Sequence, residues 1–219
     1  LDFLIIIKFN KKFSSYTAEK FIEEIIHKKT KCKYLYVSRN FKFGFKRKGN
    51  IRTLKKFEKK FDYRNIVTTP YKKKNMIISS TFIRKKIRQG KLSLVTKLLD
   101  RHWSVDGKVV RGKKRGRKIG FPTCNMSLNS YVVPKPGVYS VKVKGENFSK
   151  NGIANVGYRP TFNGQSLLLE TNIFGFNKNL YNKVINVSFK KFIRAEKKFK
   201  NFKHLIKQIK IDIKLAKKQ

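Results

Sequence analysis

The spacing of apolar residues changes near Asp100, and this change constrains the fold more than any other feature of the sequence. Before Asp100, apolar runs of strand length alternate with apolar residues at helical spacing. After it, short strand-like runs follow one another closely and are separated by Gly, Pro and Asn. The sequence therefore predicts two domains, an α/β domain over residues 1–100 and an antiparallel β-barrel or sandwich over residues 101–219.

The first half predicts strands alternating with helices. The strands are expected at three apolar runs, residues 4–9, 34–37 and 66–69. Each helix is expected to begin after a residue whose side chain caps backbone N–H groups: Thr17, Asn50 and Ser79. Gly90 predicts a break in the third helix. This order of elements predicts a parallel sheet with helices on its faces.

The second half predicts an antiparallel sheet followed by one helix. The strand-like runs are residues 104–110, 137–144, 153–158, 167–174 and 184–189. Apolar residues then recur at helical spacing from Phe202 to Ala216. We expect an antiparallel β-barrel with a C-terminal helix, and the chain shows no internal repeat.

Charge dominates the composition, with a formal net charge of +43 at pH 7. The electrostatic field of such a positive charge attracts nucleic acids and anionic membranes non-specifically. The basic residues are mostly Lys and are spread along the whole chain, whereas a dedicated nucleic-acid module more often clusters Arg and aromatic residues. We therefore expect no specific nucleic-acid partner. The alternative is a basic RNA- or ribosome-associated protein whose barrel binds nucleic acid.

The two cysteines, Cys32 and Cys124, lie far apart in the sequence and form no C-x-x-C pair. This spacing argues against a disulfide framework or a zinc site and fits a reducing cytoplasm. The sequence contains no run of 18 apolar residues, so we expect neither a transmembrane helix nor a membrane partner.

Residues 111–125 contain the densest group of candidate binding residues. Gly112, Gly116 and Gly120 recur at four-residue spacing, which lets the backbone turn tightly and approach a ligand. Flanking cations such as Arg117 suit a polyphosphate. The loop matches neither the Walker pattern nor the G-x-G-x-x-G pattern. A solvated basic turn is the alternative interpretation.

Thr123 and Asn125 follow this loop and supply neutral oxygen atoms, which Mg²⁺ accepts beside substrate phosphates. A turn stabilised by its own Thr and Asn hydrogen bonds is the simpler alternative.

Glu170 is a carboxylate in an otherwise apolar and neutral strand. Strand alternation places Leu168, Glu170 and Asn172 on one face and Leu167, Leu169, Thr171 and Ile173 on the other. A carboxylate at such a position is costly unless it meets partners or solvent. Phosphoryl transfer to an alcohol needs a group that accepts the hydroxyl proton, and Glu170 is the candidate. The alternative is a surface glutamate on an edge strand.

These motifs resemble those of the riboflavin kinases. Residues 112–125 follow the pattern G-x-x-x-G-R-x-x-G-F-P-T-x-N, and residues 134–143, 155–162, 169–170 and 192–199 resemble the later motifs of that family in order. The resemblance covers residues 101–219 and implies the conversion of riboflavin to FMN with ATP. Asn172 stands where many members have His, and Cys124 replaces the usual Ala. The change to Asn172 is expected to weaken a supporting hydrogen bond.

The resemblance also implies the roles of individual residues. Glu170 is the implied general base, Thr123 and Asn125 the implied Mg²⁺ ligands, and Arg194 part of a mobile turn over the flavin or the nucleotide. The implied ATP-binding residues are Gly112, Gly116, Arg117, Gly120, Pro122 and Thr123.

Residues 1–100 resemble the later part of the Rossmann-like FMN adenylyltransferase domain that bacterial riboflavin kinases usually carry. Residues 78–84 resemble its I-S-S-T-x-I-R motif, in which Ser79, Ser80, Thr81 and Arg84 would meet ATP phosphates at a helix start. A plain helix cap is the alternative. The early G-x-F-D-G-x-H-x-G-H block of that family does not occur in these residues, so we expect FAD formation from FMN to require a segment that supplies it.

Overall fold

The computed structural model of the chain describes residues 2–73, 76–112, 115–128, 130–161 and 164–218. Its contacts divide the chain into two compact units, Leu1–Ile78 and Ser79–Gln219. The division falls before the helices of residues 80–99 because the second of these helices packs against the last strand of the barrel. No helix in the described ranges is long and apolar enough to cross a membrane.

The first unit is a small α/β arrangement. Its α-helices are α1 (Lys11–Ser14), α2 (Ala18–Phe21) and α3 (Ile51–Phe61), and α2 continues directly as a π-helix over Ile22–Lys29. A 3₁₀ turn covers Phe45–Arg47. Its strands are β1 (Tyr34–Ser38), β2 (Arg64–Thr68), β3 (Lys72–Lys73) and β4 (Met76–Ile77). The parallel pairing of β1 with β2 confirms the predicted parallel sheet, whereas the β3–β4 hairpin was not predicted.

Two helices of this unit, α2 and α3, begin at the predicted capping residues, whereas α1, capped by Asn10, was not predicted. The Asn50 Oδ1 atom accepts hydrogen bonds from the Arg52 N–H at 2.9 Å and the Thr53 N–H at 3.2 Å. The Thr17 Oγ1 atom accepts one from the Lys20 N–H at 3.1 Å. These bonds satisfy N–H groups that have no partner within the helix, and they fix where α2 and α3 start.

The predicted strand at residues 4–9 is wrong. These residues form no strand, and most of their apolar side chains are exposed, Leu4 at 77% and Ile6 at 86%. A strand needs a hydrogen-bonding neighbour, and among the described residues β1 and β2 pair only with each other. An apolar run of strand length therefore does not suffice to predict a strand.

The second unit contains the barrel. Its helices are α4 (Ser80–Arg88), α5 (Leu92–Leu99), α6 (Arg115–Lys118) and α7 (Phe202–Lys217). Its strands are β5 (Ser104–Lys108), β6 (Cys124–Ser127), β7 (Gly137–Gly145), β8 (Phe148–Thr161), β9 (Gly164–Ile173) and β10 (Val184–Arg194). Gly90, at φ +72°, separates α4 from α5 as predicted. The short elements β6 and α6 were not predicted.

The six strands form a nearly closed antiparallel barrel in the order β5-β10-β7-β8-β9-β6. A bridge closes the gap between the two end strands, where the Val110 N–H donates to the Asn125 carbonyl oxygen at 2.8 Å. The predicted antiparallel barrel with a C-terminal helix is therefore confirmed.

Strand alternation gives the barrel two apolar faces. On the inner face, Met126, Leu169 and Val156 lie side by side across three strands, and all three are fully buried. On the outer face, Val138 and Ile153 pack against Ala216 of α7. The interior fixes the register of the strands, and α7 covers part of the outer surface.

Replacing Phe189 by Ala is expected to lower the free energy of unfolding by about 3–5 kcal/mol, because its fully buried ring would leave a cavity. The ring centroid of Phe189 lies 4.9 Å from that of Trp103 and 5.2 Å from that of Tyr139. Val184→Ala is the control, since Val184 is 64% exposed on the same strand. Urea denaturation measures both, and a loss below about 1 kcal/mol for Phe189→Ala would contradict this account of the core.

Candidate active site

Three polar residues stand side by side on the outer face of the barrel. Strand β9 lies between β8 and β6, and the partners of Glu170 are Asn155 on β8 and Asn125 on β6. Side chains of directly opposed residues point to the same face, with Cβ atoms about 4.5–5.5 Å apart. Glu170 therefore lies beside Asn125, which is only 7% exposed.

The inner face of β9 determines this orientation. Leu167, Leu169 and Thr171 are buried at 5%, 0% and 1% exposure, as alternation predicted. A shift of one residue would move these side chains outward and turn Glu170 into the apolar interior. The barrel core thus fixes the side of the sheet on which the carboxylate lies.

The glycine loop folds back on the same group of residues. A Cβ atom on Gly112 would lie 2.3 Å from Asn125 Nδ2, and one on Gly116 would lie 2.4 Å from the Phe121 carbonyl oxygen. Gly120 has φ +84°, in the left-handed region that favours glycine. The backbone therefore favours glycine at Gly116 by contact and at Gly120 by conformation, and at Gly112 any side chain would have to displace the Asn125 amide. Lys113 and Lys114 lie outside the described residues.

Two side chains connect β9 to the segment that carries Thr123. Asn172 Nδ2 donates a hydrogen bond to the Pro122 carbonyl oxygen at 2.7 Å. The Cys124 thiol donates to the Thr171 carbonyl oxygen at 3.4 Å, and burial raises the pKa of this thiol to about 11. Cys124 is therefore neutral at pH 7 and contributes packing rather than reactivity.

Two cavities meet at Thr123. The larger, of about 430 Å³, has an apolar wall from the barrel, the loop after β10 and α7: Val138, Ile153, Phe199, Phe202, Leu205 and Ile209. Polar side chains line it as well: Thr123, Asn125, Asn155, Glu170, Asn172 and Glu196.

The smaller cavity, of about 290 Å³, is lined partly by cations, amides and one tyrosine: Arg117, Lys178, Asn177, Asn179 and Tyr181. Apolar side chains line the rest: Val109, Ile173, Phe176 and Leu180. Pro122 and Thr123 also border it. Both volumes are compatible with small-molecule ligands.

Arg194 lines the larger cavity, but its guanidinium group binds Asp212 of α7. Glu196 accepts a hydrogen bond from Asn155 Nδ2 at 3.3 Å. The sequence reasoning did not single out Asn155 or Asp212. Asp212 had a detectable signal, because it is the only acidic residue after position 196 and lies within the apolar pattern of α7.

The remaining predicted site residues lie on α4. The Ser79 hydroxyl accepts a hydrogen bond from the Phe82 N–H at 3.2 Å and so caps this helix. Ser80, Thr81 and Arg84 are exposed on its first turns. These four residues are grouped together, and they line neither of the two cavities described above.

The sequence matches two protein-family models, riboflavin kinase over residues 99–219 and FAD synthetase over residues 1–82. The bifunctional riboflavin kinase/FMN adenylyltransferase of Buchnera aphidicola subsp. Schizaphis graminum is 41% identical over 100% of this chain and 71% of that protein. The protein of the same name from Haemophilus influenzae is 40% identical over 99% of this chain and 71% of its own length.

A crystal structure described as a macrolide-efflux protein from Streptococcus pneumoniae has a TM-score of 0.82 and 33% identity, covering 95% of this chain and 67% of that chain. The likeness extends the agreement in sequence to the fold. The chain belongs to the family of bifunctional riboflavin kinases/FMN adenylyltransferases.

Proposed function

We propose that the second unit transfers the terminal phosphate of ATP to riboflavin at the point where the two cavities meet. One observation carries this proposal. Thr123 borders both cavities and directly precedes β6, on which Asn125 stands opposite Glu170. A phosphate donor in one cavity and a hydroxyl acceptor in the other would therefore meet beside a carboxylate.

The larger cavity suits riboflavin because its lining combines apolar side chains with side-chain amides. The wall formed by Val138, Ile153, Phe199 and Leu205 offers apolar surface for the flavin rings. The amides of Asn125 and Asn155, on the barrel strands that line the same cavity, offer hydrogen bonds to the ribityl hydroxyl groups. A ribityl chain bound to these amides would reach Glu170, which lies between them on the neighbouring strand.

The smaller cavity suits ATP. Arg117 and Lys178 supply positive charge for the phosphates, and Tyr181 offers an aromatic face. Arg117, Pro122 and Thr123 bring the glycine loop to the edge of this cavity, whereas Gly116 of the same loop lines the larger one. Because Thr123 also borders the flavin cavity, the terminal phosphate is the part of ATP expected to reach it.

Mg²⁺ is the metal that the residues at this junction fit. In the described ranges no group of three or more His, Cys, Asp or Glu residues gathers to bind a metal alone. Thr123, Asn125 and Glu170 offer hard oxygen atoms, the ligands that Mg²⁺ accepts together with substrate phosphates. Thr123 and Asn125 would hold the ion, which neutralises charge on the phosphates when bound.

Glu170 is the proposed general base. The ribityl hydroxyl oxygen forms a bond to the terminal phosphorus of ATP while the bond from that phosphorus to ADP breaks, and the hydroxyl proton passes to the Glu170 carboxylate. Asn155 and Asn125 flank Glu170 on the neighbouring strands and restrict where the acceptor hydroxyl lies. Asn172 holds the Pro122 carbonyl oxygen and thereby positions the adjoining Thr123.

The family has a second activity, the adenylylation of FMN to FAD. We propose that Ser79, Ser80, Thr81 and Arg84 belong to its ATP site, because N–H groups and hydroxyls at a helix start suit phosphate. This activity depends on a segment that supplies the early nucleotide-binding block of the family. The domain limits 1–100 and 101–219 and a cytoplasmic location remain predictions.

A nucleic-acid-binding function has no support from the family matches, which fall on riboflavin kinase and FAD synthetase. Non-specific binding to nucleic acids remains an expectation from the net charge of +43.

Replacing Glu170 by Gln is expected to lower kcat for FMN formation by about 10²–10⁴-fold, because the amide accepts no proton at neutral pH. The substitution keeps the size of the side chain, so riboflavin binding is expected to persist. Chromatography of FMN measures the rate, and fluorescence quenching measures riboflavin binding. Near-normal turnover in this variant would remove Glu170 from the role of base.

Chelation of Mg²⁺ is expected to abolish FMN formation, and Thr123→Val is expected to raise the Mg²⁺ concentration needed for half-maximal rate. Thr123→Ser keeps the oxygen atom and is the matched control. Initial rates over a Mg²⁺ titration measure the effect. An unchanged Mg²⁺ requirement in Thr123→Val would mean that the hydroxyl does not hold the metal.

Replacing Asn172 by Leu removes the donor to the Pro122 carbonyl oxygen and is expected to lower kcat/KM for ATP by about 3- to 10-fold. Asn172→His keeps an N–H donor and is expected to retain most of the activity. Steady-state kinetics with ATP varied measures both. Equal losses in the two variants would show that the hydrogen bond is not what positions Thr123.

A further inference from the structure

A carboxylate is buried beside the larger cavity and is not used in the proposed chemistry. The side chain of Asp212, on α7, is only 3% exposed. A carboxylate at such a depth is costly unless a cation and further hydrogen-bond donors compensate its charge. Asp212 faces the barrel rather than solvent, although most residues around it in the sequence are basic or apolar.

Arg194, the last residue of β10, compensates this charge through a two-pronged contact. Its Nε atom lies 2.9 Å from Asp212 Oδ2 and its Nη2 atom lies 2.7 Å from the same oxygen. Nε also lies 3.0 Å from Oδ1, which accepts a further hydrogen bond from Gln208 Nε2 at 2.9 Å. Planar contacts of this kind are stronger and more directional than a single ion pair.

The contact joins three parts of the cavity wall. Arg194 ends a barrel strand, Asp212 lies on α7, and Arg194 Nη1 donates to the Ala195 carbonyl oxygen at 2.9 Å at the start of the connecting loop. The guanidinium carbon lies 5.8 Å from the centre of the Phe199 ring in that loop. Phe199 and Ile209 form one side of the cavity, opposite the barrel residues.

Protein atoms hold the guanidinium group of Arg194 on the side that faces α7 and the loop. Each of the three guanidinium nitrogens of Arg194 already donates to a protein oxygen. The charge of Arg194 is matched by Asp212, at 2.7 Å. A phosphate group that displaced Asp212 from Arg194 would leave a buried carboxylate without its cation.

We propose that Arg194 and Asp212 are a positioning pair, which holds α7 and the loop of residues 195–201 against the barrel as one wall of the riboflavin cavity. Neither residue contacts the reacting atoms. This inference rests on the proposed assignment of the larger cavity to riboflavin. It predicts that losing either residue weakens riboflavin binding, whereas the ATP cavity, which neither residue lines, is little affected.

The test compares Arg194→Met, Asp212→Leu and the double variant. Each single change leaves one buried charge without its partner, whereas the double change replaces the pair by two apolar side chains of similar size. We expect each single variant to bind riboflavin about 10-fold or more weakly and the double variant to recover most of that loss. ATP binding is expected to stay within about 3-fold of the original in all three.

The measurements are riboflavin fluorescence quenching, calorimetric titration with MgATP, and amide hydrogen exchange in α7. Exchange in α7 is expected to be faster in each single variant and close to the original in the double variant. Lys214→Ala is the control, because it removes one exposed charge from the same helix and lines neither cavity. It is expected to change none of the three measurements by more than about 2-fold.

Several outcomes would overturn the proposal. A substrate-binding role for Arg194 would appear as weaker MgATP binding in Arg194→Met, with no loss in Asp212→Leu and no recovery in the double variant. Single variants that bind riboflavin normally would also contradict it. If a single variant fails to fold, Arg194→Lys, which keeps the charge but loses the two-pronged contact, replaces it, and unchanged riboflavin binding there would count against the pair.

The failure of this inference is distinguishable from the failure of the proposed function. Absence of riboflavin binding in the unmodified protein would contradict the assignment of the cavity. The hydrogen-exchange comparison does not use riboflavin, so it would still decide whether the pair holds α7 in place.

Discussion

The placement of β9 between β8 and β6 determines both the packing of the barrel core and the position of Glu170. One face of β9 fills the barrel with Leu167, Leu169 and Thr171, and the other face carries Glu170 and Asn172. Because the register of the neighbouring strands is set by the apolar interior, Glu170 is fixed opposite Asn125. The stability of the core and the geometry of the site are therefore consequences of the same strand pairing.

Acidic residues are scarce in the second half of the chain, and their distribution is informative. Of the five at positions 101–219, three line the larger cavity: Glu170, Glu196 and Asp212. The structure gives each a different environment. Glu170 lies between two asparagines on neighbouring strands, Glu196 accepts from Asn155, and Asp212 pairs with Arg194. The net charge of +43 is a property of the whole surface, whereas the site depends on a few carboxylates within it.

The sequence predicted the elements whose signals are local. Capping by Asn50 and the break at Gly90 depend on neighbouring residues, and the two faces of β9 depend on alternation within one strand. Other features depend on partners distant in sequence. The expected strand at residues 4–9 finds no hydrogen-bonding neighbour among the described residues, and the short strand β6 forms because β9 and the bridge at Val110 are present.

In the candidate site, too, the contacts between residues distant in sequence could not be predicted. The motifs identified Thr123, Asn125 and Glu170 as candidate site residues, but they did not predict which protein groups position these side chains. The motifs did not specify that the Asn172 amide donates to the Pro122 carbonyl oxygen at 2.7 Å, and the expected weakening relative to His stays a prediction. Arg194 was expected over the flavin or the nucleotide, and its pairing with Asp212 joins residues 18 positions apart in the chain. No sequence pattern within β10 or within α7 specifies the contact between Arg194 and Asp212.

A crystal structure of the protein with riboflavin, ADP and Mg²⁺ would test the central claim most directly. The account predicts the flavin rings against Val138 and Ile153, the ADP phosphates at Thr123, and the terminal ribityl hydroxyl within hydrogen-bond distance of the Glu170 carboxylate. A flavin bound elsewhere on the barrel, or a ribityl chain directed away from Glu170, would contradict it.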